Sequence, residues 1–332
     1  MSQGNQTAFP ARPAPASRAE RLAARLAGEA GPLVLDGATG TELERAGLAT
    51  GLPLWSTHAL LEAPECVYRI HSAYLAAGAE IITANTFRTQ RRALARGHLG
   101  GADTRLTRLA VDLARLAVAA ATPSNLPSLA TARAPAHDRW VAGSLPPLED
   151  CYRPDLVPDD RALAEEHGRQ ADLLGEAGVD LILVETMNTI REARTAAEAA
   201  FRTGLPFVVS FVAWDGATLL SGESLADAAR AALALGASAV GVNCLPIANL
   251  GACRQVLAGL AAPLLVSPNL GQPEPRTGFA RDASEDPARF PAAFADWLDG
   301  LGVIVGGCCG TTPAHIAALT AQLRREAAAQ SL

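Results

Sequence analysis

From residue 32 to the C-terminus, short continuous apolar runs alternate with longer stretches of helical period. The apolar runs are 32–36, 80–85, 140–143, 181–185, 206–213, 239–243, 263–268 and 302–306. A run that stays apolar without alternating marks a strand buried on both faces, as in a parallel sheet. The stretches 105–120, 161–177, 189–203 and 224–235 are rich in Ala, Leu, Arg and Glu at helical spacing. Gly-Ala or Gly-Val pairs at 78–79, 178–179, 236–237 and 302–303 fall just before strands. That is the expected use of Gly at a helix C-terminus. Eight strands in strict alternation with helices predict an α/β fold, a single (β/α)8 TIM barrel. A doubly wound open sheet is the second option, and the lack of G-x-G-x-x-G after the first strand weighs against it.

Residues 1–18, rich in Pro, Ala and Gln, predict a disordered arm, and residues 19–329 one barrel domain. The start lacks the apolar core of a secretory signal. The Pro/Ser/Thr/Ala-rich stretch 121–139 reads as a long loop before the third strand. A net charge of −6 over 332 residues argues against nucleic acid as a partner. No apolar run reaches the ~20 residues of a membrane span. Six cysteines in a chain this long do not form a disulfide framework, which points to a reducing cytoplasm. All 28 basic residues are Arg, so lysine Schiff-base and pyridoxal-phosphate chemistry is excluded. Monomer and homo-oligomer both fit these features.

Polar residues then fall in a pattern. Asp36, Asn85, Ser144, Glu185, Asn243, Cys244, Asn269, Cys308 and Cys309 all sit at the C-terminal ends of predicted strands. Barrel enzymes place their sites on that face. Cys308 and Cys309 are adjacent in Gly306-Gly307-Cys308-Cys309-Gly310, and Cys244 lies in Gly241-Val242-Asn243-Cys244. Three thiols on glycine-rich turns at strand ends predict one compact soft-metal site. Zinc prefers thiolates, and a catalytic zinc keeps three protein ligands and an open fourth position. A lone cysteine is more often a small buried hydrophobe, and Cys66, Cys151 and Cys253 are read that way. A Cys308–Cys309 disulfide would be strained. The six histidines show no ligand spacing.

An ordered set of motifs resembles the homocysteine S-methyltransferase family. They are Leu35-Asp36-Gly37-Ala38-Thr39-Gly40, Thr83-Ala84-Asn85-Thr86-Phe87, Val184-Glu185-Thr186, Gly241-Val242-Asn243-Cys244, Pro268-Asn269-x-Gly271 and Gly306-Gly307-Cys308-Cys309-Gly310. The resemblance spans nearly the whole chain. It implies a (β/α)8 barrel that methylates the zinc-bound thiolate of homocysteine to give methionine. It implies zinc on Cys244, Cys308 and Cys309, and no catalytic protein group beyond the activated thiolate. It implies that Asp36 and Glu185 hold the amino-acid end of homocysteine. Gly37, Asn85 and Ser144 join them as candidate substrate contacts, with Asn85 better suited to orienting its loop through local hydrogen bonds.

Betaine-using members carry a tryptophan near the methyl donor, in a context matched here around Trp55. They carry a tyrosine where this chain has Arg88, and a longer C-terminal extension that this sequence lacks. The folate and cobalamin modules of large methionine synthases are also not in it. The expected donor is therefore a sulfonium, S-methylmethionine or S-adenosylmethionine, with Trp55 and Arg88 on the donor side. Trp55 is as readily a packing residue. Arg88, Arg91 and Arg92 would repel a cationic donor unless paired, or could hold a substrate carboxylate. The alternatives are a methyltransferase for another thiol or a selenol such as selenohomocysteine, a betaine-using homologue, and a non-catalytic zinc-thiolate sensor. The Asp36 and Glu185 carboxylates argue against the last.

Overall fold

The computed structural model describes residues 16–121, 138–272, 280–281, 286–298 and 303–330. Its strands are β1 (Leu33–Val34), β2 (Ile81–Ala84), β3 (Trp140–Leu145), β4 (Leu181–Met187), β5 (Phe207–Phe211), β6 (Ala239–Pro246), β7 (Leu264–Asn269), β8 (Gly271–Gln272), β9 (Ala280–Arg281) and β10 (Val303–Val305). Eight of these form one parallel sheet in the order β1-β10-β7-β6-β5-β4-β3-β2, while β8 and β9 pair separately. The ends of that sheet meet. Leu35 bridges Ile81, and the backbone amides of Asp36 and Glu80 donate to Ile81 and Val34 at 3.0 and 2.7 Å. The sheet is thus closed, helices alternate with its strands, and the expected (β/α)8 barrel is what forms. Gly78 and Gly178 end their helices in the left-handed conformation, as the Gly pairs predict.

Two apolar layers hold the barrel. An outer layer packs the helices on the strands. An inner one fills the barrel with Leu33, Leu35, Ile81, Trp140, Leu181 and Leu183 among others, and takes in Leu22 and Leu26 from the helix Arg18–Leu26. That helix stoppers the N-terminal end of the barrel. Ser17 caps it with a capping box. Arg18 pairs with Asp180 at 2.9 Å and Arg25 with Glu80 at 3.0 Å. Each acid also accepts a strand amide, Val141 at 2.8 Å and Val34 at 3.2 Å. The pairs therefore tie the stopper to the strand starts. Of the expected arm, residues 1–15 lie outside the described residues, and Arg18 is the first residue of this helix. Of the expected loop, residues 122–137 also lie outside them.

Strands β3, β4 and β6 run beyond the apolar runs that mark them in the sequence. In β4 and β6 the extension contains a bulge, one extra residue between Val184 and Met187 and one between Asn243 and Pro246. Thr186 and Cys244 sit there at φ 63° and 54°. A bulge leaves one residue unpaired and re-aims side chains. Polar residues in these turns end the apolar run, so the sequence reads them as loop.

Leu22 is 1% exposed and Leu116 is 58% exposed. Truncating a buried leucine leaves a cavity. Leu22→Ala is expected to cost about 2–5 kcal/mol in urea unfolding, and Leu116→Ala less than about 0.5 kcal/mol. Equal losses would mean that the helix Arg18–Leu26 does not seal the barrel.

Candidate active site

The two bulges face each other, and the side chain of Asn243 joins them. Its Oδ1 accepts the amide of Thr186 and the hydroxyl of Ser210, both at 2.9 Å. Its Nδ2 donates to Thr186 Oγ1 at 2.8 Å and to Glu185 Oε2 at 3.3 Å, and lies 3.7 Å from Cys244 Sγ. One buried amide thus connects β4, β5 and β6. It satisfies the backbone that the β4 bulge leaves without a ladder partner, and it sets Glu185 beside Cys244.

Cys308 and Cys309 reach the same place from the end of β10. Their loop is fixed by backbone bonds, Cys308 N to Pro268 O at 2.8 Å and Leu270 N to Cys309 O at 2.9 Å. Thr311 adds a hydroxyl bond to Cys308 O at 2.7 Å and accepts the amide of Ala38 at 3.2 Å. The Sγ atoms of Cys244, Cys308 and Cys309 all lie within 4.8 Å of one another, and all three are free thiols. Cys309 falls well below the usual thiol range because Cys244 and Cys308 donate to its thiolate. Cys244 rises well above it through those same contacts and burial. The donor set fits zinc: a tetrahedral ion with Zn–S bonds of ~2.3 Å needs sulfurs ~3.8 Å apart, and three protein thiolates leave one position open. Cys66, Cys151 and Cys253 are buried, as read from the sequence.

A cavity of about 160 Å³ opens onto these thiols, lined also by Asp36, Gly37, Asn85, Ser144 and Glu185. Asp36 is buried, and its carboxylate accepts the amide and hydroxyl of Thr83 at 2.8 and 2.9 Å. Burial pushes it up to about 8, with the charge of Glu185 adding to the effect and the Thr83 bonds opposing it. Glu185 accepts a hydrogen bond from Ser144 Oγ. Burial pushes it up to about 8 as well; the Ser144 bond opposes this and negative charge on Cys308 adds to it. Two buried carboxyls thus share one cavity, and a cation placed beside them would draw both towards the ionised form. Gly37 lies so close to Thr311 and Tyr74 that a Cβ would meet them at 2.7 and 2.8 Å, so a side chain there would push the turn after β1 away from the cysteine loop and the helix Pro64–Ala77.

Asn85 bonds to Ser56, its Nδ2 donating to the Ser56 carbonyl at 2.9 Å. It therefore orients the turn carrying Trp55, the loop role allowed for it in the sequence. Trp55 is half-buried, packs on Gly40 and lines the cavity. Arg88 lines it too, with Nη1 donating to the carbonyl of Glu149 at 2.8 Å and its guanidinium 5.3 Å from the Phe87 ring centre. Arg91 and Arg92 lie in a separate cleft, paired with Asp103 at 3.6 Å and with Glu149 and Glu166. Tyr152, which no sequence pattern marks, also lines the cavity, as does Cys151, which the sequence marks only as a buried hydrophobe. They belong to a loop with no periodic pattern, where only contacts across the fold mark a residue.

A family model described as homocysteine S-methyltransferase matches residues 33–323. The homocysteine S-methyltransferase of Escherichia coli K12 is 35% identical over 306 residues, covering 87% of this chain and 94% of the relative. The selenocysteine Se-methyltransferase of Brassica oleracea is 29% identical, covering 88% and 89%. Among solved structures, the metallated form of the homocysteine methyltransferase MmuM from Escherichia coli superposes with a TM-score of 0.75. It is 30% identical, with coverage of 89% of this chain and 97% of that one.

The buried acid at position 36 has a pH signature. Its folded value, about 8, lies above the ordinary 3.8. The bound proton therefore stabilises the fold, fully below the unfolded value, and that contribution is lost as pH rises towards 8. In substrate-free protein, wild-type stability in urea should fall between pH 5 and 8 more steeply than that of Asp36→Asn. The difference can reach about 1.4 kcal/mol per pH unit. Parallel curves would mean that Asp36 is ionised.

Proposed function

The chain belongs to the homocysteine S-methyltransferase family, and we propose that it transfers a methyl group from a sulfonium donor, S-methylmethionine or S-adenosylmethionine, to the thiol of L-homocysteine, with zinc held by Cys244, Cys308 and Cys309. The observation that carries this reading is the opening of three thiols and two buried carboxyls onto one cavity. A metal-sensing site has no use for the carboxyls.

Zinc bound there would supply a thiolate-selective fourth position at which the acceptor's sulfur loses its proton. The chain's own residues do the positioning. Asp36 and Glu185 take the acceptor's ammonium, and its charge draws both carboxyls into their ionised form. Ser144 and Asn243 keep Glu185 turned to the cavity. On the donor side, Trp55 offers its ring to the sulfonium. Arg88 faces the donor's carboxylate with its remaining N–H groups. The salt bridges of Arg91 and Arg92 neutralise the charge that would otherwise repel a cation. A selenol acceptor is the second reading, favoured by the likeness to a selenocysteine methyltransferase.

The test is methionine formation by zinc-loaded protein from homocysteine with S-methylmethionine, S-adenosylmethionine, betaine or methyltetrahydrofolate. Turnover is expected with a sulfonium alone, and turnover with betaine alone would overturn the donor assignment. Variants should separate the two halves of the site. Cys244→Ser should lose the one zinc per chain that Cys253→Ser retains. Glu185→Gln should keep the zinc and weaken homocysteine binding by about 1.5–3 kcal/mol, the worth of a hydrogen bond to a charged group. Equal zinc in both cysteine variants would remove the thiols from the metal, and unchanged homocysteine affinity would remove Glu185 from the acceptor.

A further inference from the structure

The loop that follows β3 reads Leu148-Glu149-Asp150-Cys151-Tyr152. Each residue in it is anchored. The amide of Leu148 donates to the buried Glu192 at 2.8 Å, and Glu192 is itself held by His167 at 3.1 Å. The carbonyl of Glu149 accepts Arg88, and its carboxylate takes Arg92 and Arg96. Asp150 accepts the amide of Tyr152 at 3.0 Å. The carbonyl of Cys151 accepts Asn188 Nδ2 at 2.9 Å. So many polar anchors on five consecutive residues leave the loop little freedom. Much of the buried polar apparatus at this end of the barrel is therefore spent on one segment.

The segment ends on Tyr152, which shares the cavity with Trp55 and the three thiols. Its ring lies 5.3 Å from that of Trp214, tilted by 31°. Trp214 in turn donates its indole N–H to the carbonyl of Cys244 at 3.4 Å. The aromatic pair is thus tied to the backbone of a thiol-bearing residue.

We propose that Tyr152 is a specificity-determining residue for the methyl donor, its ring forming with Trp55 the aromatic lining that receives a sulfonium cation beside the thiols. The inference rests on the sulfonium reading given above and names a residue that reading does not use. An aromatic face attracts a desolvated cation, and the tilted contact with Trp214 restricts rotation of the Tyr152 ring. The ring and not the hydroxyl is the working part, so phenylalanine should serve in its place.

Steady-state kinetics of zinc-loaded wild type, Tyr152→Phe and Tyr152→Leu test this, with S-methylmethionine and homocysteine varied in turn. Tyr152→Leu should raise the donor KM about tenfold or more. The homocysteine KM and the zinc content should stay as in wild type, and Tyr152→Phe should stay within about twofold of it. Titration with trimethylsulfonium, followed by tryptophan fluorescence, should show the same loss in Tyr152→Leu without any turnover. A Tyr152→Leu variant with unchanged donor KM and trimethylsulfonium affinity overturns the inference. So does one in which zinc is lost or both KM values rise together, since Tyr152 would then act on the metal loop. A wild type that makes no methionine from any sulfonium removes the functional reading and the inference with it. A wild type that does, alongside an unaffected Tyr152→Leu, overturns the inference alone.

Discussion

The side chain of Asn243 is the joint on which the site depends. A bulge costs ladder hydrogen bonds, and two facing bulges are stable only where something else satisfies the freed groups. Asn243 does so for Thr186, and with Ser210 it draws β5 into the same network. The bulges in turn allow Cys244, at φ 54° within β6, and Glu185 both to line the cavity. An aspartate could accept the same amide and hydroxyl but would have nothing to donate to Glu185. It would also set a second negative charge beside a carboxyl already pushed up by burial. The position requires an amide with both a donor and an acceptor.

The arginines do most of the remaining polar work, and they do it at both ends of the barrel. Arg18 and Arg25 fasten the N-terminal helix to acids that also hold strand amides. Arg88, Arg92 and Arg96 fasten the loop after β3 at the opposite end. Each guanidinium offers several donors in a plane, so one side chain can bind a carboxylate and a carbonyl together. A lysine could bridge fewer of these groups with one compact charge. Arg91 and Arg92, which the sequence leaves either repelling a cationic donor or holding a substrate carboxylate, are paired with Asp103, Glu149 and Glu166 in the fold.

Much of this was legible beforehand. Continuous apolar runs mark all eight barrel strands, because a strand buried on both faces has no polar period to obscure it. The thiols stand out because adjacent cysteines between glycines are rare in any other setting, and Asp36 and Glu185 because they end apolar runs. The bulges were not legible: the predicted strands stop at Glu185 and Asn243, and Thr186 and Cys244 look like loop until the cross-strand partners of Asn243 are known. Arg88 looked like a donor or carboxylate contact and is also a staple for Glu149 and Pro147, a role visible only once distant segments meet. Tyr152 carried no local signal, since its significance lies in Trp214, which is 62 positions further along the chain.

The stopper formed by the helix Arg18–Leu26 has a kinetic consequence. With the N-terminal end plugged by Leu22, Leu26 and the inner layer, traffic is confined to the end where the strands finish. Asp36 there is 2% exposed, while Leu52 at the same cavity is 59% exposed, so the chamber has a floor and a rim. On the function proposed above, an acceptor whose ammonium rested on that floor would lie beneath a donor whose cation rested against the half-buried Trp55. The deeper ligand would then have to arrive first, and an excess of the shallower one would act as a barrier to entry.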